Sequence, residues 1–573
     1  MAARVLTGIP ASPGMAEGPA FIWRRQAPFV RRRTGAAPEE ERRRLEAARS
    51  AARAEIDGLR ARVTTTAGGQ QGAIFAAHLM FLDDAALLSR AGEAIARGIN
   101  AEAAWYDAVE HFAAQLEQLP DPTFRTRAAD IRDVGHRVLV HLSGGGEAGP
   151  ALPVPAVVVA SDLSPSEVAS LDRALVLAVC LAHGGPTSHA AILARAWGVP
   201  AVVGVGDPLM DLEHGDVLLV DGDRGEVIVA PDEAQRRAFH DQAARAARQE
   251  RTARAASGEP ALTRDGRRVH IEANVGSVDE ASAAVHAGAE GVGLLRTEFL
   301  FLGRSAPPGE EEQAAVYRAI FERLGSRPVA VRTLDAGADK PVPYLPLPAE
   351  ANPFLGYRGV RLLLDHPDLL KVQLRAMLRA ASGSRVRILF PMVATLEEWR
   401  RARALVEAVQ REMRAAGPAP AGTCEIGMTV EVPAAVILAD HFAREADFLT
   451  IGTNDLTQYT MAADRGNANV AHLNDGCHPA VLRLVQRVVE AGHTTGIWVG
   501  VCGELAGDPD AVPVLVGLGV DELSMTPAAI PRAKAIVRQW TFEDARRLAH
   551  AAVDLDSAHA VRALVRGRSP QDG

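Results

Sequence analysis

The sequence predicts an α/β multidomain chain: a small α/β domain interrupted by an all-helical subdomain, then a linking helix and a (β/α)₈ barrel of the TIM type. Three observations predict it. β-branched runs at 154–160, 174–182, 201–205 and 217–220 read as strands with loops and one helical stretch between them. Ahead of them, Ala, Arg, Glu and Leu recur at helical spacing from Pro38 to Leu142. From Val269 onward, apolar strand-like runs alternate with helical runs over about 300 residues, the size of a (β/α)₈ barrel.

Composition supports a core-forming chain. Its 573 residues are 48% hydrophobic and 23% charged, which excludes general disorder. Lys and Arg number 62 against 71 Asp and Glu, a net charge of −9, too acidic for a general polyanion or nucleic-acid binder. Only Lys340, Lys371 and Lys534 are lysines, which reads as a coding bias toward arginine. No apolar stretch reaches the roughly 18–20 residues of a membrane helix and the N-terminus carries no apolar signal core, so a cytoplasmic location is expected. The four cysteines, Cys180, Cys424, Cys477 and Cys502, lie far apart without a Cys-x-x-Cys pair. That spacing argues against a disulfide framework or a structural zinc site, so a conspicuous thiol is either core or catalytic.

In chain order, residues 1–24 are short strands punctuated by Gly and Pro, with no pairing partners of their own. They are therefore assigned with 145–230 to one α/β domain, which makes 25–144 a helical insertion, broken at Ala67-Gly-Gly and at Leu119-Pro-Asp-Pro. Residues 231–258 are polar and rich in Ala and Arg, and predict an exposed linker helix spanning roughly 40 Å. The barrel occupies 259–573. Its clearest strands are 270–275, 291–295, 329–333, 386–390, 425–430, 448–451 and 498–502, with an eighth placed near 353–358. An open doubly wound sheet is the other arrangement compatible with the alternation.

Two constellations carry chemistry. In Gly184-Gly-Pro-Thr-Ser-His189 a strand ends, glycines let the backbone approach a ligand, and Thr187 or Ser188 caps a helix whose first turn holds His189. That places an imidazole where backbone N–H groups and the helix dipole favour a phosphate dianion. Gly204-Val-Gly206 lacks the third glycine of a dinucleotide loop and reads as a turn. In the second half, Arg296, Arg332, Glu431, Asn454, Asp455 and Cys502 stand where strands end, and in a barrel they face one pocket. Two carboxylates, an amide and several guanidiniums suit a hard divalent cation, Mg²⁺ favoured, with a substrate bearing phosphate and carboxylate. Val501-Cys-Gly-Glu-Leu-Ala-Gly presents the Cys502 thiol to that pocket, and Lys340 supplies a compact point charge near the same face.

The motifs around His189, Gly291-Val-Gly-Leu-Leu-Arg-Thr-Glu-Phe-Leu-Phe, Asn352-Pro-Phe-Leu-Gly-Tyr-Arg-Gly-Val-Arg, Ile451-Gly-Thr-Asn-Asp-Leu-Thr-Gln-Tyr-Thr and Cys502-Gly-Glu-Leu-Ala-Gly resemble enzyme I of the phosphoenolpyruvate:sugar phosphotransferase system, over essentially the entire chain. The resemblance implies that His189 is the phosphorylated histidine, that Arg296, Arg332, Asn454, Asp455 and Arg465 hold phosphoenolpyruvate, that Glu431 and Asp455 hold Mg²⁺, and that Cys502 is the acid. It further implies that the carrier protein HPr docks on the helical insertion, around 74–84, that pyruvate is released, and that the barrel forms a homodimer. His189 then has to serve both the barrel mouth and HPr, with 231–258 as the hinge of a rigid-body swing. Phosphoenolpyruvate synthase and pyruvate phosphate dikinase resemble the chain only in the phosphohistidine loop and barrel, and they need an ATP-grasp domain for which the chain has no room. A regulatory relay protein of the same fold would be expected to lack Glu431, Asp455 or Cys502, and all three are present. The chain departs from the family pattern at Ala338, where glycine is usual, and at Asn474-Asp-Gly-Cys477.

Overall fold

The structure, a computed structural model, describes the chain apart from residues 1–3, 25–29, 68, 119–121, 145–151, 186–187, 303, 338–341, 343, 346, 349, 382, 384, 418–422, 468–469 and 569–573. Ala338 and Lys340 lie outside the described residues. The chain divides into two compact units, Met1–Ala246 and Ala247–Gly573, and the boundary falls within the helix Glu233–Ala255.

The first unit is built on strands β1 (Arg4–Thr7), β2 (Ile9–Ser12), β3 (Met15–Trp23), β4 (Ala156–Ala160), β5 (Val176–Leu181), β6 (Ala201–Val203), β7 (Val217–Asp221) and β8 (Glu226–Val229). They form one sheet in the order β1-β8-β7-β3-β4-β5-β6-β2. β3 pairs in parallel with β4 and antiparallel with β7, so strands on either side of the helical segment share a sheet. That segment consists of helices Pro38–Ala67, Gly69–Leu82, Ala85–Ala96, Ala101–Glu117 and Pro122–Leu142. β4 reads Ala-Val-Val-Val-Ala because both faces of the sheet are covered. Val157, Val159 and Cys180 face one apolar cluster, while Val158, Val179 and Leu181 pack with the helical segment and with the helix His189–Trp197. Cys180 is thus a core thiol.

In the second unit, a short β9 (Ala261–Leu262) precedes eight parallel strands: β10 (Arg268–Val275), β11 (Val292–Leu295), β12 (Val329–Arg332), β13 (Arg385–Phe390), β14 (Thr423–Val430), β15 (Phe448–Ile451), β16 (Val499–Val501) and β17 (Glu522–Met525). β10 pairs with both β11 and β17, which closes the barrel and excludes the open sheet. The eighth strand is therefore Glu522–Met525, and the placement near 353–358 is corrected. Pro353–Leu355 is a 3₁₀ turn. The strand escapes an apolar-run reading because Glu522 and Ser524 are polar yet buried, alternating with Leu523 and Met525 of the core between barrel and helices.

The barrel interior is layered. At the strand N-termini, Arg387 Nη1 reaches Glu522 at 2.8 Å and Glu272 at 3.2 Å, and its Nε reaches Glu425 at 3.2 Å. The guanidinium lies 4.4 Å over the Trp498 ring, whose own partner is a stacked Phe448 at 4.6 Å. These groups line part of a cavity of about 630 Å³ at that end. Above them, Leu294, Leu389 and Phe448 form an apolar layer in contact with Cys502.

Burial and mutual repulsion raise the Glu272 carboxyl, and burial raises Glu522 despite Arg387. A carboxyl raised in the folded state binds protons more tightly there than in the unfolded chain. Its contribution is therefore most favourable at acid pH and is lost as pH rises through the folded value. Arg387→Met leaves those carboxylates without their counter-ion, and is expected to cost about 3–5 kcal/mol near pH 8, with a smaller loss near pH 5. Urea unfolding at the two pH values checks this, and an equal loss at both would refute it.

Candidate active site

The first unit brings His189 to the first position of a nine-residue helix, His189–Trp197. Ser188 is its N-cap: the hydroxyl accepts the Ala191 N–H at 3.3 Å, while Gly198 ends the helix in the left-handed region. The cap is thus Ser188; Thr187, with the His189 ring, lies outside what is described. Gly204 and Gly206 form a turn entering the 3₁₀ helix Asp207–Asp211.

The other candidates belong to the second unit, beyond the strand C-termini. Arg332 ends β12 and is buried. Its Nη2 donates to Glu298 at 2.6 Å and its Nη1 lies 3.6 Å from Asp335. Its buried Nε has no acceptor among the described residues. Arg358 bridges two acids, donating to Asp335 at 2.8 Å and to Asp455 at 3.2 Å, and also reaches the Tyr459 hydroxyl at 3.3 Å. Arg465 approaches the other oxygen of Asp455 at 3.5 Å. Asn454 accepts the Glu504 N–H at 2.9 Å, tying the loop after β15 to the loop after β16. Arg296 follows β11 as an exposed side chain, and its positive charge acts on Cys502.

Glu431 follows β14 fully buried, with Oε1 accepting the Met392 N–H at 2.7 Å. Burial, then the charges of Asp455 and Asp335, push its carboxyl up to about 8 against the pull of Arg332 and Arg358. Gly452 is required beside it, because a Cβ there would sit 2.5 Å from Glu431 Oε2. Gly503 is required for a similar reason: a Cβ would collide with Thr453 Oγ1.

Cys502 is buried after β16, with Sγ 3.7 Å from the Ile451 carbonyl and its own carbonyl accepting from Asn274 at 2.9 Å. Burial and the Glu431 charge push the thiol up to about 12, so it rests protonated at neutral pH. The arrangement offers an uncharged proton donor next to a set of anion-binding guanidiniums.

Among the described residues, no three His, Cys, Asp or Glu side chains converge as a ready metal cage. Glu431 and Asp455 alone suit Mg²⁺, which keeps water and substrate oxygens among its ligands and binds through one or two carboxylates. The acid crowding that raises Glu431 is what a dication would relieve.

Arg358, Glu298, Tyr459 and Asp335 are functional residues to which the sequence motifs assign no role. Arg358 lies in no strand; its signal was the glycine pair Gly356 and Gly359 around it, which marks a tight loop. Asp335 lies three residues beyond Arg332, where a barrel loop begins.

A barrel mouth lined this way, with a histidine at a capped helix start elsewhere in the chain, defines a phosphoenolpyruvate-utilising enzyme. Three family models match accordingly: the PEP-utilising enzyme N-terminal domain over residues 7–127, the mobile domain over 152–225 and the PEP-binding domain over 250–542. The phosphoenolpyruvate-protein phosphotransferase of Geobacillus stearothermophilus is 42% identical over 98% of both chains, and that of Bacillus subtilis 38% identical over 98% of this chain and 99% of its own. A multiphosphoryl transfer protein of Rhodobacter capsulatus is 46% identical over 98% of this chain and 67% of its own length. The chain belongs to the phosphoenolpyruvate-protein phosphotransferase family, enzyme I.

Because Cys502 rests as a neutral thiol, its alkylation by iodoacetamide is expected to be slow at pH 7 and to climb through pH 9 without a plateau. Mass-spectrometric quantification of the modified peptide checks this. A half-maximal rate at about pH 8.5, levelling off above it, would mean an ordinary exposed thiol.

Proposed function

We propose that the chain transfers the phosphoryl group of phosphoenolpyruvate to its own His189 and then to a histidine of the carrier protein HPr, releasing pyruvate, as the first step of sugar uptake by the phosphotransferase system. The observation that carries this reading is the buried Arg332 Nε, a donor without an acceptor in a mouth that also holds Arg296 and Arg465. Such a donor calls for an anionic oxygen.

In this reading Arg296, Arg332, Arg465, Asn454 and Asp455 bind and orient phosphoenolpyruvate. Neutral His189 attacks phosphorus through Nε2. The bond from phosphorus to the bridging oxygen breaks, and the enolate of pyruvate leaves. Cys502 gives its proton to C3 of that enolate and is reprotonated from water. Glu431 and Asp455 would hold Mg²⁺, which when bound neutralises charge on the transferring phosphoryl oxygens. Arg358 holds Asp335 and Asp455 in place.

HPr is assigned to the helical segment. There Phe75, His78 and Leu82 are core, whereas Met80 is exposed and offers an apolar contact beside the acids Asp83 and Asp84. Exposed Leu355, Ile437, Leu438 and Leu473, on 3₁₀ turns and a short helix in the segments after the strands, supply apolar surface for a homodimer of the barrel. Among the described residues no helix is long and apolar enough to cross a membrane.

Incubation with labelled phosphoenolpyruvate, Mg²⁺ and HPr tests the reading. His189→Ala is expected to abolish acid-labile, base-stable phosphorylation with the fold retained, and label on a different histidine would overturn the assignment. Cys502→Ser is expected to slow pyruvate formation by about 10²-fold while exchange of phosphate between His189 and HPr continues, since exchange never visits the enolate. Equal loss in both assays would remove Cys502 from the chemistry.

A further inference from the structure

The helix Ala558–Arg566 turns Val561 and Val565 into the core and presents Arg562 to two loops at the strand C-termini. Arg562 grips Asp475 with both ends of its fork, Nε to Oδ2 at 2.8 Å and Nη2 to Oδ1 at 2.9 Å. The same guanidinium reaches Asp508 at 2.7 Å and Asp510 at 3.2 Å, and Arg566 adds a second contact to Asp510 at 2.8 Å. One cation thus joins three carboxylates from two separate loops. Burial alone would disfavour charge here, yet Asp475 stays below the usual carboxylate range because Arg562 faces it.

Each loop leads to the mouth. Asn474, next to Asp475, donates to the Ala463 carbonyl at 2.8 Å, two residues before Arg465. Asp508 closes the 3₁₀ turn Glu504–Gly507, which begins two residues after Cys502 and whose first N–H is held by Asn454. Neither Arg562 nor its three acids is among the groups assigned to substrate.

We propose that Arg562 is a positioning residue for the phosphoenolpyruvate half-reaction, setting the loop that presents Arg465 and the loop that follows Cys502 at a fixed spacing. The proposal rests on the reading that Cys502 protonates C3 of the enolate. If it holds, Arg562 governs where the thiol stands relative to that carbon, and misplacement shows as lost facial selectivity as well as lost rate. Asp510 is one spoke of the clamp and its loss should act in the same direction more weakly.

The test uses the full chain with Mg²⁺, HPr and phosphoenolpyruvate carrying deuterium and tritium at C3, and reads pyruvate turnover, methyl configuration, phosphate exchange between His189 and HPr, and thermal midpoint. Arg562→Gln is expected to lower turnover about tenfold and to give pyruvate of mixed methyl configuration, with exchange unchanged. Arg562→Lys and Asp510→Asn are expected to fall between it and the unaltered chain. Turnover within twofold and a single methyl configuration in Arg562→Gln would overturn the proposal. So would loss of turnover with selectivity intact, or loss of turnover and exchange together with a collapsed thermal midpoint in all three variants. A mixed configuration from the unaltered chain would instead overturn the role of Cys502 on which the proposal rests.

Discussion

The bridge from Arg358 to Asp335 and Asp455 is the interaction on which the barrel mouth depends. Three buried acids, Asp335, Glu431 and Asp455, crowd together, and burial with the charges of the other two drives the Glu431 carboxyl to take up a proton. Arg358 and Arg332 supply the opposing charge, and burial fails to discharge either guanidinium because each faces more than one carboxylate. The result is a preorganised, densely charged site whose groups are oriented before any ligand arrives. Preorganisation of this kind is what makes electrostatic stabilisation of a phosphoryl transfer effective. Glycine appears where this packing leaves no room: Gly452 yields space to the Glu431 carboxylate and Gly503 to Thr453.

Much of this was legible in the sequence because barrels convert strand ends into a shared surface. Arg332, Glu431, Asn454, Asp455 and Cys502 each follow an apolar run, and closure of the sheet places all five at one end. The start of the His189 helix was legible for a different reason. Ser188 has the short hydroxyl that a helix N-terminus requires, and the structure uses it so. What stayed hidden was polar residues doing the work of core. Glu522 and Ser524 occupy the interior of β17, so that strand carries no apolar run, and the sequence pattern points instead to the loop near 353–358. Arg358 was hidden conversely: it lies in an irregular segment between elements, where no periodicity announces that a side chain turns inward.

The two ends of the barrel show the same electrostatic device applied to different ends. At the strand N-termini, Arg387 is shared by Glu272, Glu522 and Glu425, and the aromatic face of Trp498 covers the guanidinium. One oxygen of Glu522 is nonetheless left without a hydrogen-bond partner among the described residues, and these groups line the cavity at that end. At the strand C-termini the balance is left incomplete. Among the described residues the buried Arg332 Nε is a donor without an acceptor. What differs between the two ends is the kind of group left over, an acceptor on Glu522 at the strand N-termini and a donor on Arg332 at the strand C-termini.

Leu294, Leu389 and Phe448 lie between those networks as a solid floor. Beside that floor runs a polar seam: the Ser524 hydroxyl donates to Asn274 at 2.7 Å, and the Asn274 amide donates to the Cys502 carbonyl at 2.9 Å. In the proposed reaction the hydrogen that reaches the product is relayed by a thiol resting on that floor, so the isotopic content of the water that reprotonates the thiol is what the product methyl group records.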